Sequence, residues 1–211
     1  MTTKISVVIP VYNHVEELFA CLRALADQSD QDFEVVIVDD GSTDGLATRI
    51  KEMDVPFSFQ FVRFENNRGA PAARNEGARR TSGEYLLFLD ADAVFVPEAF
   101  AKMRAILDTY TDIDFVYSSH YFGWKLFRSR AFDPLTLRRY NYIHTSALLR
   151  RRAFPGFDES LWKFQDWDLW LTMSERGSKG YWISEPLFRI KTRATGYSHW
   201  LPSIIHRLPW G

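Results

Sequence analysis

The sequence predicts an α/β domain whose central sheet is mostly parallel and carries helices on both faces. Strand-like runs rich in β-branched residues alternate, at short spacing, with segments whose apolar residues recur at helical intervals. One of those runs, residues 84–89, is almost continuously apolar, as expected of a central strand covered on both sides. Acidic residues stand at the ends of such runs, at the carboxyl edge where open α/β sheets bind ligands.

Residues 5–9 form a buried β-branched strand that leaves the sheet at Pro10 and enters a loop through Asn13. Between residues 16 and 28 the positions of Leu18, Phe19, Cys21, Leu22 and Leu25 predict a helix. A second strand over 33–38 ends in Asp39-Asp40-Gly41-Ser42-Thr43-Asp44-Gly45, and a helix over about 43–53 follows, with Ser, Thr or Asp as its cap. Residues 57–64 give a third strand, and Asn66-Asn67-Arg68-Gly69 turns the chain into a helix that carries Pro71 in its first turn. Small residues there (Ala70, Ala72, Ala73, Gly77 and Ala78) permit close approach to the sheet. After the strand at 84–89 come a helix over about 97–110 and a strand over 115–121. Residues 122–139 lack periodicity and mix aromatic with basic side chains, the pattern of a long functional loop. Residues 141–149 look strand-like, 165–176 helical, and 181–183 and 187–190 form two short strands. No linker composition divides the chain, so a single domain over 1–211 is expected, with its core at about 4–190 and a tail at 191–211.

Composition excludes several classes. A net charge of −1 argues against a nucleic-acid coat, which would be basic. One cysteine, Cys21, rules out an internal disulfide, and its place on an apolar helix face predicts packing rather than reactivity. Neither a signal peptide nor an apolar run of about 20 residues is visible, so a cytoplasmic setting is the simplest expectation.

The chemistry gathers in three acidic clusters: Asp39-Asp40, Asp90 with Asp92, and Asp166 with Asp168. If strand geometry persists to residue 92, Asp90 and Asp92 project to one side and can share a hard divalent cation with phosphate oxygens. The alternative is that two acids merely close a turn. Parallel strands bring the first two clusters to one crevice, and Arg68 and Arg74 near a helix start suit phosphate oxygens. Together these residues describe a nucleotide-diphosphate site.

Ser6-Val7-Val8-Ile9-Pro10-Val11-Tyr12-Asn13, Val38-Asp39-Asp40-Gly41-Ser42-Thr43-Asp44, Asn67-Arg68-Gly69 with Ala73-Arg74-Asn75-x-Gly77, Leu89-Asp90-Ala91-Asp92, and Gln165-Asp166-Trp167-Asp168-Leu169-Trp170 resemble, in order, the motifs of family 2 inverting glycosyltransferases with the GT-A fold. The resemblance covers roughly residues 4–190. It implies transfer of a hexosyl-type sugar from a nucleotide-diphosphate donor, in first instance a UDP-sugar, to a saccharide or lipid-linked acceptor in polysaccharide biosynthesis. It assigns nucleotide-sugar binding to Pro10, Val11, Tyr12, Asn13, Asp39, Asp40, Gly69, Arg74, Asp90, Ala91 and Asp92. Within that set Asp39 and Asp40 serve the base and ribose, Asp90 reaches the ribose, and Asp92 binds Mn²⁺ or Mg²⁺. Asp166 becomes the general base, with Asp168 its rival two residues on. Where many members have a histidine able to ligate the metal, this chain has Lys191, and His199 lies far along. The basic and aromatic stretch 121–152 could receive a phosphate-bearing or lipid-linked acceptor. The apolar tail could dock on the domain, lie on the inner face of a membrane, or pair with another chain. A non-catalytic nucleotide-sugar binding module is the main rival and would not need an acid at 166. A sugar-phosphate nucleotidyltransferase is a second rival, but residues 11–14 lack the Gly-rich basic loop it would use.

Overall fold

The computed structural model describes residues 4–191, which form nine strands of one sheet and six α-helices. The expected tail, with His199, lies outside the described residues.

The first half alternates as the sequence implies. Strands β1 (Ile5–Val11), β2 (Phe33–Asp39), β3 (Phe59–Arg63) and β4 (Tyr85–Phe88) are parallel in the order β3-β2-β1-β4. Helices α1 (Val15–Ala26), α2 (Leu46–Arg49) and α3 (Ala70–Arg79) connect them. Side chains alternate across β1, so Ile5, Val7 and Ile9 pack against Leu18, Leu22 and Leu25 of α1, while Val8 meets Ala73 and Ala78 of α3 on the opposite face. The small residues of α3 serve close packing. A Cβ added at Gly77 would lie 2.3 Å from Val8 Cγ1 and 3.2 Å from Val36 Cγ1.

Beyond β4 the sheet becomes mixed. Strands β5 (Ala93–Phe95), β6 (Phe115–Phe122), β7 (Lys125–Phe127), β8 (Leu148–Arg150) and β9 (Gly180–Ile190) extend it in the order β4-β8-β6-β9-β5, with β7 on β6. Only the β6–β9 pairing is parallel there. Helix α4 (Ala99–Thr109) packs on the α1 face. On the other face, α6 (Gln165–Glu175) buries Leu169, Trp170 and Met173.

The local differences from expectation have physical causes. The two short strands expected at 181–190 are one strand, whose register on β6 shifts between Ser118 and His120. The long loop holds β7 and α5 (Pro134–Leu137), the latter capped by Asp133 accepting from the Leu135 and Thr136 N–H groups. Only the end of the strand expected at 141–149 forms. Asn141 takes the Ile143 N–H and His144 Nδ1 takes the Ser146 N–H, so local side chains divert the backbone donors a ladder would use. Two arginines at the end of the basic and aromatic stretch 121–152, Arg150 and Arg151, bind carbonyls of the scaffold. Arg150 donates to the Leu107, Tyr110 and Ile113 carbonyls at the end of α4. Arg151 donates to those of Ala78 and Gly83 after α3. Both lie by the start of β4, at the sheet edge opposite the acidic clusters.

Candidate active site

At the carboxyl edge of the parallel strands the loops after β1 and β2 lock together. Asn13, at φ 56°, donates its N–H to Ser42 Oγ at 3.0 Å, and its Oδ1 accepts from Thr43 N–H at 2.8 Å. Asp44 Oδ2 accepts from Val15 N–H at 3.0 Å, capping α1 from the neighbouring loop. Pro10, Val11 and Tyr12 lead into this junction, and Tyr12 is exposed.

Asp39 and Asp40, expected beside base and ribose, are both engaged by protein donors. Asp39 is 0% exposed; its Oδ1 accepts from Ser42 N–H and its Oδ2 from Arg63 Nη1, at 2.8 and 2.7 Å. Asp40 is also buried and accepts the N–H groups of Arg68 and Gly69 at 2.6 and 2.9 Å. Burial raises the Asp40 carboxyl above its ordinary value, and those two donors pull it partly back. Gly69, at φ +88°, opens α3, a backbone turn that disfavours other residues. Backbone N–H groups and Arg63 thus hold both carboxylates of the first acidic pair in place.

The second cluster is more open. The strand ends at Phe88, so Asp90, Ala91 and Asp92 lie in a turn closed by Ala93 N–H on Asp90 O, not on an extended strand. Asp90 has a side chain 27% exposed, and its Oδ1 accepts from Arg74 Nη2 at 2.7 Å. Burial works against its charge, but Arg74, helped by His144, outweighs that and holds the carboxyl below the usual range. Arg74 is buried, donates Nη1 to Gln165 Oε1 at 3.0 Å, and lies 5.3 Å from the Phe157 ring centroid. Asp92 O accepts the Lys191 N–H at 3.0 Å, so that lysine stands beside the turn. Arg68 remains outside, over the Phe64 ring and 3.6 Å from Glu159.

The third cluster joins the second through residues that sequence reasoning missed. Asp166, in the first turn of α6, accepts Asn141 Nδ2 on Oδ2 and Trp167 N–H on Oδ1, each at 2.8 Å. Its neighbour Gln165 holds Arg74, and His144 Nε2 sits 3.8 Å from Asp90 Oδ2. Burial lowers the His144 pKa, against the opposing pull of both Asp90 and Asp166. Asp168 faces elsewhere: its carboxyl is raised by burial and by Asp158 and Glu175. Polar Asn141 and His144, interrupting an otherwise strand-like run, were the available signal. Trp170 is core, bonded to Ile143 O, and Trp167 donates to Leu137 O. Cys21 is buried and its thiol pushed up, chiefly by burial, as packing requires.

Among the described residues no group of three or more His, Cys, Asp or Glu side chains is arranged to hold a metal ion. A magnesium-like ion carried on a nucleotide diphosphate needs only one or two carboxylates, with phosphates and water completing its shell. Asp92 at the crevice turn fits that requirement. No helix among the described residues is long and apolar enough to cross a membrane.

Solved structures place the architecture among GT-A glycosyltransferases. Staphylococcus aureus TarS 1–349 in complex with UDP-GlcNAc matches with a TM-score of 0.77 over 92% of this chain and 60% of that one, at 20% identity. The Pyrobaculum calidifontis mannosyltransferase PcManGT, in complex with GDP-Man and Mn²⁺, matches at 0.70 over 93% and 59%, also at 20% identity. The glycosyl transferase family 2 model matches residues 6–157, and the chain belongs to that family. An uncharacterized glycosyltransferase of Haemophilus influenzae is 38% identical over 54% of this chain and 37% of its own length. The amylovoran biosynthesis glycosyltransferase AmsB of Erwinia amylovora is 27% identical over 97% and 75%. The chain spans 37% of the Haemophilus influenzae relative and 29% of an uncharacterized glycosyltransferase of Rickettsia bellii, about a third of the length of each.

Proposed function

We propose that residues 4–190 form the catalytic domain of a metal-dependent, inverting glycosyltransferase that moves a sugar from a nucleotide-diphosphate donor, first of all a UDP-sugar, to an acceptor hydroxyl. The observation that carries this reading is the polar circuit at the sheet's carboxyl edge: Asp90 to Arg74, Arg74 to Gln165, and adjacent Asp166 to Asn141. It unites a crevice turn bearing Asp92 with a carboxylate on a separate helix. Single displacement with inversion needs a base on the face opposite the departing diphosphate.

In this reading the loop of Pro10, Val11, Tyr12 and Asn13, shaped by Asp39, Asp40 and Gly69, receives the nucleotide. Asp90 and Ala91 line the turn beside its ribose and sugar, and Arg74 fixes that turn. Asp166 takes the acceptor proton, oriented by Asn141 so that a lone pair stays available. Mn²⁺ or Mg²⁺ held by Asp92 would supply positive charge to the leaving diphosphate. Lys191 adds a point charge on the same side. The acceptor is a saccharide or a lipid-linked saccharide, whose ring faces suit Tyr140, Trp162 and Phe164, exposed aromatics close in sequence to Asn141 and Asp166.

A panel of UDP- and GDP-sugars incubated with the protein and Mn²⁺ tests this, because slow donor hydrolysis reports the sugar before the acceptor is known. Metal-dependent hydrolysis of one donor is expected. Binding without hydrolysis or transfer to any acceptor glycan would make the chain a nucleotide-sugar binding module.

A further inference from the structure

Large apolar side chains crowd the surface at the amino end of α6. Trp162 is 83% exposed, Phe164 and Leu135 are each 69% exposed, and Tyr140 is 48% exposed. They come from two segments that the fold brings together. The Phe164 ring meets Trp167 edge-on at 6.0 Å, and the Trp167 indole donates to the carbonyl of Leu137, in the same short helix as Leu135. Phe164 has φ 61°, a backbone state that bulky residues rarely adopt, yet it leaves most of its ring in water. A cluster of exposed apolar side chains of this kind marks a contact surface.

Charge and hydrogen bonding select the partner. Arg130, Arg138, Arg139 and Lys163 are all exposed in these segments, in a chain whose net charge is −1. The one acid within residues 128–140, Asp133, is taken up by the Leu135 and Thr136 N–H groups and the Thr136 hydroxyl. Upstream of Trp162, Asp158 accepts from Ser160, and Glu159 from Asn75, with Arg68 3.6 Å away. Neighbouring polar groups are also engaged: the Tyr140 hydroxyl by Arg130, and Gln165 by Arg74 and the Leu161 carbonyl. What this face offers is therefore apolar area and positive charge. A soluble glycan would stack on the rings but find few hydrogen-bond partners. A protein partner would seldom be met by lysine beside the apolar anchors. An anionic bilayer surface takes both, since aromatic rings and leucine enter the headgroup boundary while arginine and lysine meet lipid phosphates.

We propose that this face, formed by α5 and the segment leading into α6, docks on an anionic membrane surface. Asp166, two residues after Phe164, then stands at the lipid-facing rim. The consequence, an acceptor presented by a lipid, rests on the glycosyltransferase reading above; the contact itself does not. The test is flotation of the full chain, without nucleotide, with phosphatidylcholine vesicles lacking or containing phosphatidylglycerol. Binding is expected only with phosphatidylglycerol and should weaken as salt rises. Trp162→Ser combined with Phe164→Asn, which suits the left-handed backbone, should lose about 10-fold in vesicle affinity. Arg138→Ser combined with Arg139→Ser should lose roughly 5-fold for each arginine removed. Tyr181→Ser removes an exposed aromatic at the opposite end of the β6–β9 pair, stacked on Tyr110, and should bind like wild type. Thermal melting checks that each variant is folded. No flotation, equal flotation with neutral vesicles, or wild-type binding by both double variants would overturn the proposal. So would a dimer in vesicle-free solution that the Trp162 and Phe164 changes dissociate, since the face would then be covered by a second copy. Donor hydrolysis measured on the same protein keeps the two readings apart: hydrolysis without vesicle binding sinks only the membrane contact, and vesicle binding without hydrolysis sinks only the transferase.

Discussion

Two acidic pairs stand at the same edge of the same sheet, yet the fold treats them in opposite ways. Asp39 and Asp40 are enclosed, and their oxygens are met by Ser42, Arg63, Arg68 and Gly69. Asp90 and Asp166 are only partly buried and are joined through Arg74, Gln165 and Asn141. The contrast teaches that an aspartate at a strand's end does not by itself mark chemistry. Donors alone do not separate wall from reactive group, since both Asp166 oxygens are also met, by Trp167 N–H and Asn141; what differs is that Asp39 and Asp40 are buried while Asp90 and Asp166 keep access to solvent.

The largest effect should come from the reactive side. Asp166→Asn is expected to lower transfer by about 10³-fold while donor affinity stays within twofold, since general-base catalysis contributes about 10²–10⁴-fold. Steady-state kinetics beside calorimetric binding check it, and surviving transfer would place the base elsewhere. On the wall side, Asp39→Ala should cost about 3 kcal/mol in urea unfolding, because it leaves Arg63 and the Ser42 N–H without their buried partner. Gly77→Ala should cost about 2 kcal/mol by overpacking α3 against Val8, without altering the site's charges.

His120 gives the comparison a pH axis. Its ring is stacked between Phe127 and Phe188, and burial, with a smaller push from His144, takes its pKa from 6.5 down to about 3. The unfolded chain therefore binds a proton that the fold resists, so stability is intact above pH 6.5 and falls as the pH drops toward 3. The slope is about 1.4 kcal/mol per pH unit within that window. Unfolding curves at pH 7 and 5.5 should show it in wild type and show less of it in His120→Phe, the remainder coming from His144, whose pKa burial also lowers. The smallest effect belongs to Asn141→Ala, which should lower transfer about 10-fold with little change in donor affinity, by loosening Asp166 rather than removing it.

Much of this was legible in sequence. Parallel β1 to β4 and close packing by α3 follow from hydrophobic period and small residues, and Asp166 beside the Asp90 turn was implied by the family resemblance. The enclosure of Asp39 was not, because it depends on Arg63, a partner 24 residues away that no local pattern ties to it. His144 and Asn141 were hidden for the opposite reason. Their segment has a strand's composition, and only their side chains' capture of nearby N–H groups keeps it out of the sheet. Arg150 and Arg151 were counted within the basic and aromatic stretch 121–152 because composition cannot distinguish solvated arginines from those holding backbone carbonyls.

The division between wall and reactive acid is tested most directly by the rise in melting temperature on adding Mn²⁺ and a nucleotide sugar, since a ligand that binds the fold stabilises it. Asp92→Ala should melt like wild type without ligand and lose the rise. Asp39→Ala should melt several degrees lower without ligand and keep most of the rise. The reverse pattern, a wild-type melting point with the rise abolished in Asp39→Ala and an intact rise in Asp92→Ala, would contradict the account.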